Sequence, residues 1–440
     1  MEEKKVVIDP IHGPIEIPTW LTRLASEKPS IRRMMLIRQL GLKAYLDFPG
    51  AIHTRYSHAL GAMHLASKIT SILSEKAIRH NKSTIADILE KNKNNIVAAA
   101  FFHDVAHGPF SHATDYVLRK ILNKTHEEIA REIICSELKD LENFGISVES
   151  VSKIINRSHR FNYLSQIVNG PLDVDKLDYL LRDSYHVGLR YSFDLDHFIN
   201  GYIILGEDIN PEECELGLRD SIETITSAQI FLLIWRSMYE LVYYIQTSRI
   251  AEKMLEKALL LECQSNSEIK EYFTSIQKYT RLYDEYLLRL LEEGSQFSKQ
   301  IVEAIFKKGE VYQQVYVEDV KNLSRKVAEE SFIEALNNES RIEDIADQLS
   351  LEVCEELKLK SYSVIVDIIR SKIPETIHLE NVETKTSPPN ELKEKSEIIK
   401  AFEPQIRIKA YVNSEASEEV KKQNININKK IEELISGWRI

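Results

Sequence analysis

The sequence predicts a mainly α protein, with a short β-ribbon ahead of the helices and a small α+β appendage behind them. Three observations carry this reading. Gly and Pro number only 14 and 12 in 440 residues, while Leu, Ile, Glu and Lys abound. Helical periodicity with short loops runs from Trp20 to about residue 260. The runs that depart from it, near the two ends, are rich in β-branched residues. With 43% apolar and 28% charged residues the chain is ordinary for a globular protein, and long enough for a sizeable core and more than one domain.

Taken in order, residues 6–20 read as a β-ribbon in which β-branched residues flank the turn Asp9-Pro10-Ile11-His12-Gly13. Pro49-Gly50 breaks one helix and Gly108-Pro109 interrupts another; Asn169-Gly170-Pro171 precedes a helix beginning near Leu172. Residues 225–262 read as one long helix whose aromatics, Phe231, Trp235, Tyr239, Tyr243 and Tyr244, belong to core or interface. Charged amphipathic helices fill 266–360. Residues 362–369 and 405–412 then read as strands around a polar loop from Asn381 to Lys395. The expected division is a helical core over 1–262 and a C-terminal region over 263–440, packed on the core and used in oligomerisation. No internal repeat is visible.

A formal net charge of −11 argues against a broadly basic nucleic-acid binder, but leaves room for a local phosphate pocket. Cys135, Cys214, Cys263 and Cys354 lie far apart without a CxxC, so reduced scattered thiols are expected rather than a disulfide framework or ribbon zinc. No run reaches the roughly 18 apolar residues needed to span a bilayer. The cytoplasm is the expected location.

The segment from Phe102 to His112 packs three histidines and an aspartate behind the apolar run Ile96–Phe101. Burying such groups is costly unless a metal or an anion pairs with them. His58, His103, Asp104 and Asp175 fall on separate expected helices or helix ends. Two imidazoles and two carboxylates suit one borderline divalent ion, Mn, Fe, Co, Ni or Zn, with positions left for water and a phosphate oxygen. The competing account is a purely structural polar cluster. His12 reads as a structural or interface group, and Asp178 as a helix-orienting or supporting carboxylate. His53, His64, His159, His186 and His197 carry no assigned chemistry.

Seven motifs stand in one order: Asp9-Pro10-Ile11-His12-Gly13, Gln39-Leu40-Gly41, Phe48-Pro49-Gly50-Ala51, Arg55-Tyr56-Ser57-His58, His103-Asp104 through His112, Thr125-His126-Glu127, and Asp173 through Asp183. In this the chain resembles the HD-domain deoxynucleoside triphosphate triphosphohydrolases, a family holding the animal SAM-and-HD-domain enzyme and bacterial dGTPase-like proteins. The resemblance covers residues 5–260, continues weakly through Tyr279-Thr280-Arg281-Leu282-Tyr283-Asp284 and the strand at 363–369, and includes no preceding SAM domain.

The resemblance implies an HD-domain helical core with His58, His103, Asp104 and Asp175 as metal ligands and Mg accompanying the substrate phosphates. It makes His107, His112 and His126 groups facing those phosphates. Asp115, three residues after His112 on one helical face, would hold that imidazole protonated as the acid for the leaving 5′-oxygen. Arg55, Lys176, Tyr179 and Asp183 would contact triphosphate or sugar, and Gln39 and Leu40 would lie beside the sugar, where a leucine crowds a 2′-hydroxyl. The implied reaction releases nucleoside and inorganic triphosphate, in a homodimer or homotetramer. The implied task is either balance of the nucleotide pool or its depletion against phage. The chain departs from the family at Glu27-Lys28-Pro29 and Met35, which argues against activation by GTP, and at Trp235-Arg236 and Ile245. Two other readings compete: hydrolysis of a cyclic, oligonucleotide or single-stranded DNA phosphodiester, and a nucleotide-sensing assembly module without turnover.

Overall fold

The computed structural model describes residues 5–124, 126–323, 330–380, 390–403, 405–422 and 426–436. The expected ribbon is β1 (Lys5–Asp9) paired antiparallel with β2 (Gly13–Ile17), with Asp9 opposite Gly13. The Asp9 carboxylate closes the turn by accepting from the amides of Ile11 and His12 at 2.9 and 3.0 Å. Gly13 takes φ +71°, a region costly for residues with a Cβ. Ile15 and Ile17 face the core.

Two long helices, Arg55–Arg79 and Ser83–Phe102, pack side by side and carry the first half of the site. Thr54 and Ser57 start the former with a reciprocal capping box, which fixes where His58 falls on its first turn. The latter ends in Ile96–Phe102, all buried, and delivers His103 from the core. Residues 103–111 then turn beneath the helix bundle before the helix His112–Leu122 begins. The helix Val174–Val187 crosses Arg55–Arg79, its first turn capped by Asp173 accepting from the Lys176 amide.

Three stretches differ from the sequence reading. The helical run to residue 260 is interrupted by a hairpin, β3 (Tyr202–Leu205) with β4 (Glu215–Arg219). All four residues of β3 are buried, so its sequence lacks the alternation that marks a half-exposed strand. The single helix expected over 225–262 is two, Ile222–Met238 and Gln246–Ser265, separated by a π-turn at Tyr239–Tyr243 and an extended Ile245. Buried tyrosine hydroxyls need partners, and here Tyr243 donates to Asp183 and Tyr244 to the Arg370 carbonyl, which the break allows. The helical stretch 266–360 is interrupted by β5 (Gln313–Asp319).

The two expected C-terminal strands are present as β6 (Val364–Arg370) and β9 (Ile406–Val412), and the antiparallel order is β5-β9-β6. Within the expected polar loop, β8 (Asn390–Glu391) pairs with β7 (His378–Glu380), which runs parallel to β4; residues 381–389 lie outside the described residues. Burial forms one large core reaching from Ile15 to Tyr312 and joined by C-terminal residues such as Ile365, Leu379 and Tyr411, and a smaller one between the β5-β9-β6 sheet and the helices Glu339–Glu356 and Ile427–Ser436. Ion pairs stitch the two: Arg249 grips Asp367 through two hydrogen bonds of 2.6 and 2.8 Å, and Lys257 meets Asp347 at 2.7 Å. All four cysteines are free. Among the described residues no helix is long and apolar enough to cross a membrane.

Candidate metal centre

Three elements converge on one point. His58 enters from Arg55–Arg79, His103 from the end of Ser83–Phe102, and Asp175 from the first turn of Val174–Val187. Their ligand atoms lie within 4.8 Å of one another. The Nε2 atoms of His58 and His103 are 3.3 Å apart, and Asp175 Oδ1 stands 3.1 and 3.4 Å from them. Asp104 borders the same space, 3.4 Å from His103 Nε2 and 3.6 Å from His58 Nε2, and is ion-paired with Arg55.

The tautomers explain why this group fits a cation. His103 Nδ1 lies 2.8 Å from the Ala100 carbonyl, which only accepts, so Nδ1 carries the hydrogen. His58 Nδ1 likewise faces the Asp178 carboxylate at 2.8 Å. Both Nε2 lone pairs of the neutral rings therefore point at each other and at Asp175, an arrangement that requires a proton or a metal between them. Without an ion, burial lowers the His58 pKa, but Asp175 and Asp178 outweigh it and raise the value to about 10. Burial likewise lowers His103 while Asp104 and Asp175 raise it further. The protons so held are those that a metal displaces.

Behind His58 stands a second layer of charge. Asp178 accepts from Arg182 at 2.8 and 2.9 Å and meets His12 Nε2 at 2.6 Å, while Arg182 reaches Asp9 at 2.7 Å. All of Asp178 and Arg182 is buried. Burial opposes the Asp178 carboxylate, but Arg182, His12 and His58 hold its pKa well below the usual range. Gly61 makes this fit possible, because a Cβ there would lie 1.7 Å from Asp178 Oδ1.

The remaining expected residues surround this centre unevenly. His107 lies between two carboxylates, 3.4 Å from Asp104 through Nε2 and 3.3 Å from Asp115 through Nδ1. Asp115 therefore meets His107; the side chains of His112 and His126, which open helices at His112–Leu122 and His126–Glu137, lie outside the described residues. Arg55 also donates from Nε to Ser111 Oγ at 3.2 Å. Lys176 Nζ is held by Asp173 and the Gly170 carbonyl at 2.7 and 2.8 Å. Tyr179 packs edge-on to Tyr243. Asp183 is buried and receives His53 Nε2 at 2.7 Å and the Tyr243 hydroxyl at 2.8 Å. Leu40 is buried, and Gln39 lies in the strand-like crossing where its amide donates to the His53 carbonyl.

Sequence reasoning passed over Arg182 and Asp9 and gave His12 and His53 no chemical role. The Asp178–Arg182 spacing of four on one helix was the available signal for a buried pair. Nothing local announces that Asp9, from a ribbon far away in sequence, completes it.

A helical bundle that gathers imidazoles and carboxylates from separate helices around one point defines a helical protein with a candidate metal site. Residues 55–183 match the HD domain, and residues 217–431 match the HD associated region. The chain thus carries an HD domain followed by an HD associated region. An uncharacterized protein of Methanocaldococcus jannaschii is 30% identical over 319 residues, 71% of this chain and 63% of its own length. The human deoxynucleoside triphosphate triphosphohydrolase SAMHD1 is 27% identical over 418 residues, 84% of this chain and 63% of its own. The chain thus spans less than two thirds of the length of these relatives. A hypothetical protein from Aquifex aeolicus, 23% identical, shares the fold with a TM-score of 0.71 over 96% of this chain and all of its own.

Proposed function

We propose that the protein is a metal-dependent phosphohydrolase that converts (deoxy)nucleoside triphosphates to nucleoside and inorganic triphosphate. The convergence of His58, His103 and Asp175 with Asp104 and Arg55 carries the reading, because it joins a cation site to a fixed guanidinium at one place. The similarity to SAMHD1 supports the substrate class. One divalent ion held by His58, His103, Asp104 and Asp175 would polarise a phosphate oxygen and activate water. Mg would accompany the substrate phosphates.

The protein groups around that ion supply the rest. Arg55 and Lys176 neutralise phosphate charge, the first from a guanidinium already oriented by Asp104 and Ser111. Water oxygen bonds to the α-phosphorus, the bond from that phosphorus to the 5′-oxygen breaks, and the leaving oxygen takes a proton. His107, oriented by Asp115 on Nδ1, is a donor for that proton together with His112 and His126. Asp183 and Tyr179 contact the triphosphate or sugar, Gln39 and Leu40 lie beside the sugar, and the bulk of Leu40 favours a 2′-deoxy substrate. The proposal includes a homo-oligomer in the cytoplasm, with residues 263–440 contributing to its assembly.

Incubating the pure protein with Mn²⁺ and each ribo- and deoxynucleoside triphosphate, and weighing the products by mass spectrometry, tests this reading. Nucleoside plus triphosphate supports it. Nucleoside monophosphates would move the activity to phosphodiester or pyrophosphate cleavage, and no product from any nucleotide would remove the proposal.

A further inference from the structure

The motif Tyr279-Thr280-Arg281-Leu282-Tyr283-Asp284 lies outside the HD domain and touches none of the metal ligands, yet it contacts the loop behind them at two points. The Tyr279 hydroxyl donates to the Ala106 carbonyl at 2.6 Å. Asp284 Oδ1 accepts from the Phe110 amide at 2.7 Å, and Oδ2 from the Arg38 amide at 3.0 Å. Arg33 closes the bracket from the other side, donating to the carbonyls of Tyr279, Val105 and His107 at 3.0, 2.7 and 3.0 Å with its guanidinium over the Tyr279 ring. Gly108 is forced by the fit, since a Cβ would lie 2.9 Å from the Tyr279 hydroxyl and 2.3 Å from Thr114 Oγ1.

We infer that Asp284, supplied by the HD-associated region, is a positioning residue that holds the 105–111 loop and the Arg38–Gln39 segment in one geometry around the metal centre. The held loop is strained, because Phe110 and Ser111 both take φ +53°, which residues with side chains rarely adopt and retain only when neighbours enforce it. The two segments Asp284 grips are tied again by Ser111, whose hydroxyl donates to the Arg38 carbonyl at 3.0 Å and faces Arg55 Nε at 3.2 Å. Arg55 in turn pairs with Asp104. The path from Asp284 to Asp104, an expected metal ligand, therefore runs through three residues in direct contact, Arg38, Ser111 and Arg55. A carboxylate suits the task because each oxygen accepts one amide, whereas an amide side chain offers one acceptor and one donor. Asp284 is wholly buried, and burial pushes its acid up to about 7 although both amides oppose that shift.

The catalytic part of this inference rests on the phosphohydrolase reading; the positioning part does not. In the full chain with Mn²⁺, Asp284→Asn and Tyr279→Phe are compared with the unaltered protein by hydrogen exchange, metal affinity and steady-state kinetics. Asp284→Asn makes one of the two amide contacts repulsive. Exchange should quicken about tenfold or more in both 36–41 and 105–113, as expected for losing a buried hydrogen bond, while Arg55–Arg79 and Val174–Val187 stay protected. Metal affinity should hold within about threefold, and kcat should fall about tenfold or more with little change in KM, the pattern of lost transition-state geometry. Tyr279→Phe should loosen 105–108 alone. Unchanged exchange in either segment after Asp284→Asn overturns the inference. Equal loosening of every helix also overturns it, because Asp284 would then only support the fold. If the unaltered protein hydrolyses no nucleotide, the phosphohydrolase reading falls, and the exchange and metal arms still decide the positioning role.

Discussion

Arg182→Met probes the charge network behind His58 without removing a metal ligand. Arg182 is fully buried and makes three hydrogen bonds of 2.7 to 2.9 Å, two to Asp178 and one to Asp9. Methionine fills much of the volume and supplies none of the charge. Three charge-assisted hydrogen bonds at about 1.5–3 kcal/mol each would sum to more than the observed cost of breaking a buried pair. Asp178 keeps His12 and His58, and Asp9 keeps two amides, so about 3–5 kcal/mol is the working magnitude. That is a large share of a domain's typical stability of about 5–15 kcal/mol. The same change leaves Asp178 held only by His12 and His58, so the orientation of His58 is less firmly fixed and metal affinity should drop about 10–100-fold. Urea unfolding followed by helical circular dichroism reads the first quantity, and calorimetric titration with Mn²⁺ reads the second. Arg182→Lys keeps the charge without the fork and should fall between. A loss under about 1 kcal/mol with unchanged metal affinity would refute the reasoning, because the buried carboxylates would then need no guanidinium.

The network can be tested from its opposite wall with Gly61→Ala. Helix propensity alone would gain about 1 kcal/mol, but a Cβ 1.7 Å from Asp178 Oδ1 forces the pair to move, so net destabilisation is expected in thermal unfolding; a more stable variant would contradict the contact. Adding Mn²⁺ at a hundredfold its Kd should stabilise the protein by about 2.7 kcal/mol in denaturant titrations, with a chelator reversing the gain. His103→Ala should abolish that gain, and an equal gain in the variant would place the ion elsewhere. For Asp367, burial raises the carboxyl but Arg249 outweighs it and leaves the folded pKa below the unfolded value. Its stabilisation is therefore present above about pH 4, the unfolded carboxyl range, and lost as pH falls through the depressed folded value. Acid titration of Asp367→Asn should show a shallower loss of stability than the unaltered protein, and identical curves would rule out this pair as a source of acid lability.

Much of the site was legible because its ligands announce themselves in short motifs. His103-Asp104 is a contiguous pair after a buried apolar run, and His58 and Asp175 sit in turns whose caps, Thr54 and Asp173, are readable from sequence. The strands at 364–370 and 406–412 showed through because β-branched residues alternate or cluster there without helical spacing. Other elements left no such trace. β3 is four apolar residues buried on both faces, a pattern shared with a core helix. The π-turn at Tyr239–Tyr243 keeps apolar spacing close to that of a helix, so periodicity runs straight through the break. β5 alternates weakly and is recognised only through β9, its partner from the far end of the chain.

The same distinction separates what the HD segment contains from what the metal centre needs. Residues 55–183 hold all four expected ligands and the groups that touch them directly, yet part of the network behind those groups comes from outside it. Asp9 and His12 arrive from the ribbon to complete the Asp178–Arg182 pair, and Tyr279 and Asp284 arrive from the other direction to hold the 105–111 loop. Each is a buried polar group whose removal deprives another buried group of a partner, so their costs fall on the site rather than on the surface from which they come. A motif can name the atoms that would touch an ion, because those residue types are chemically restricted. It cannot name the groups that hold them still, because many residue types from many places can do so, and only tertiary contact selects among them. The ribbon and the HD-associated region thus both contribute buried contacts to the surroundings of the candidate metal site.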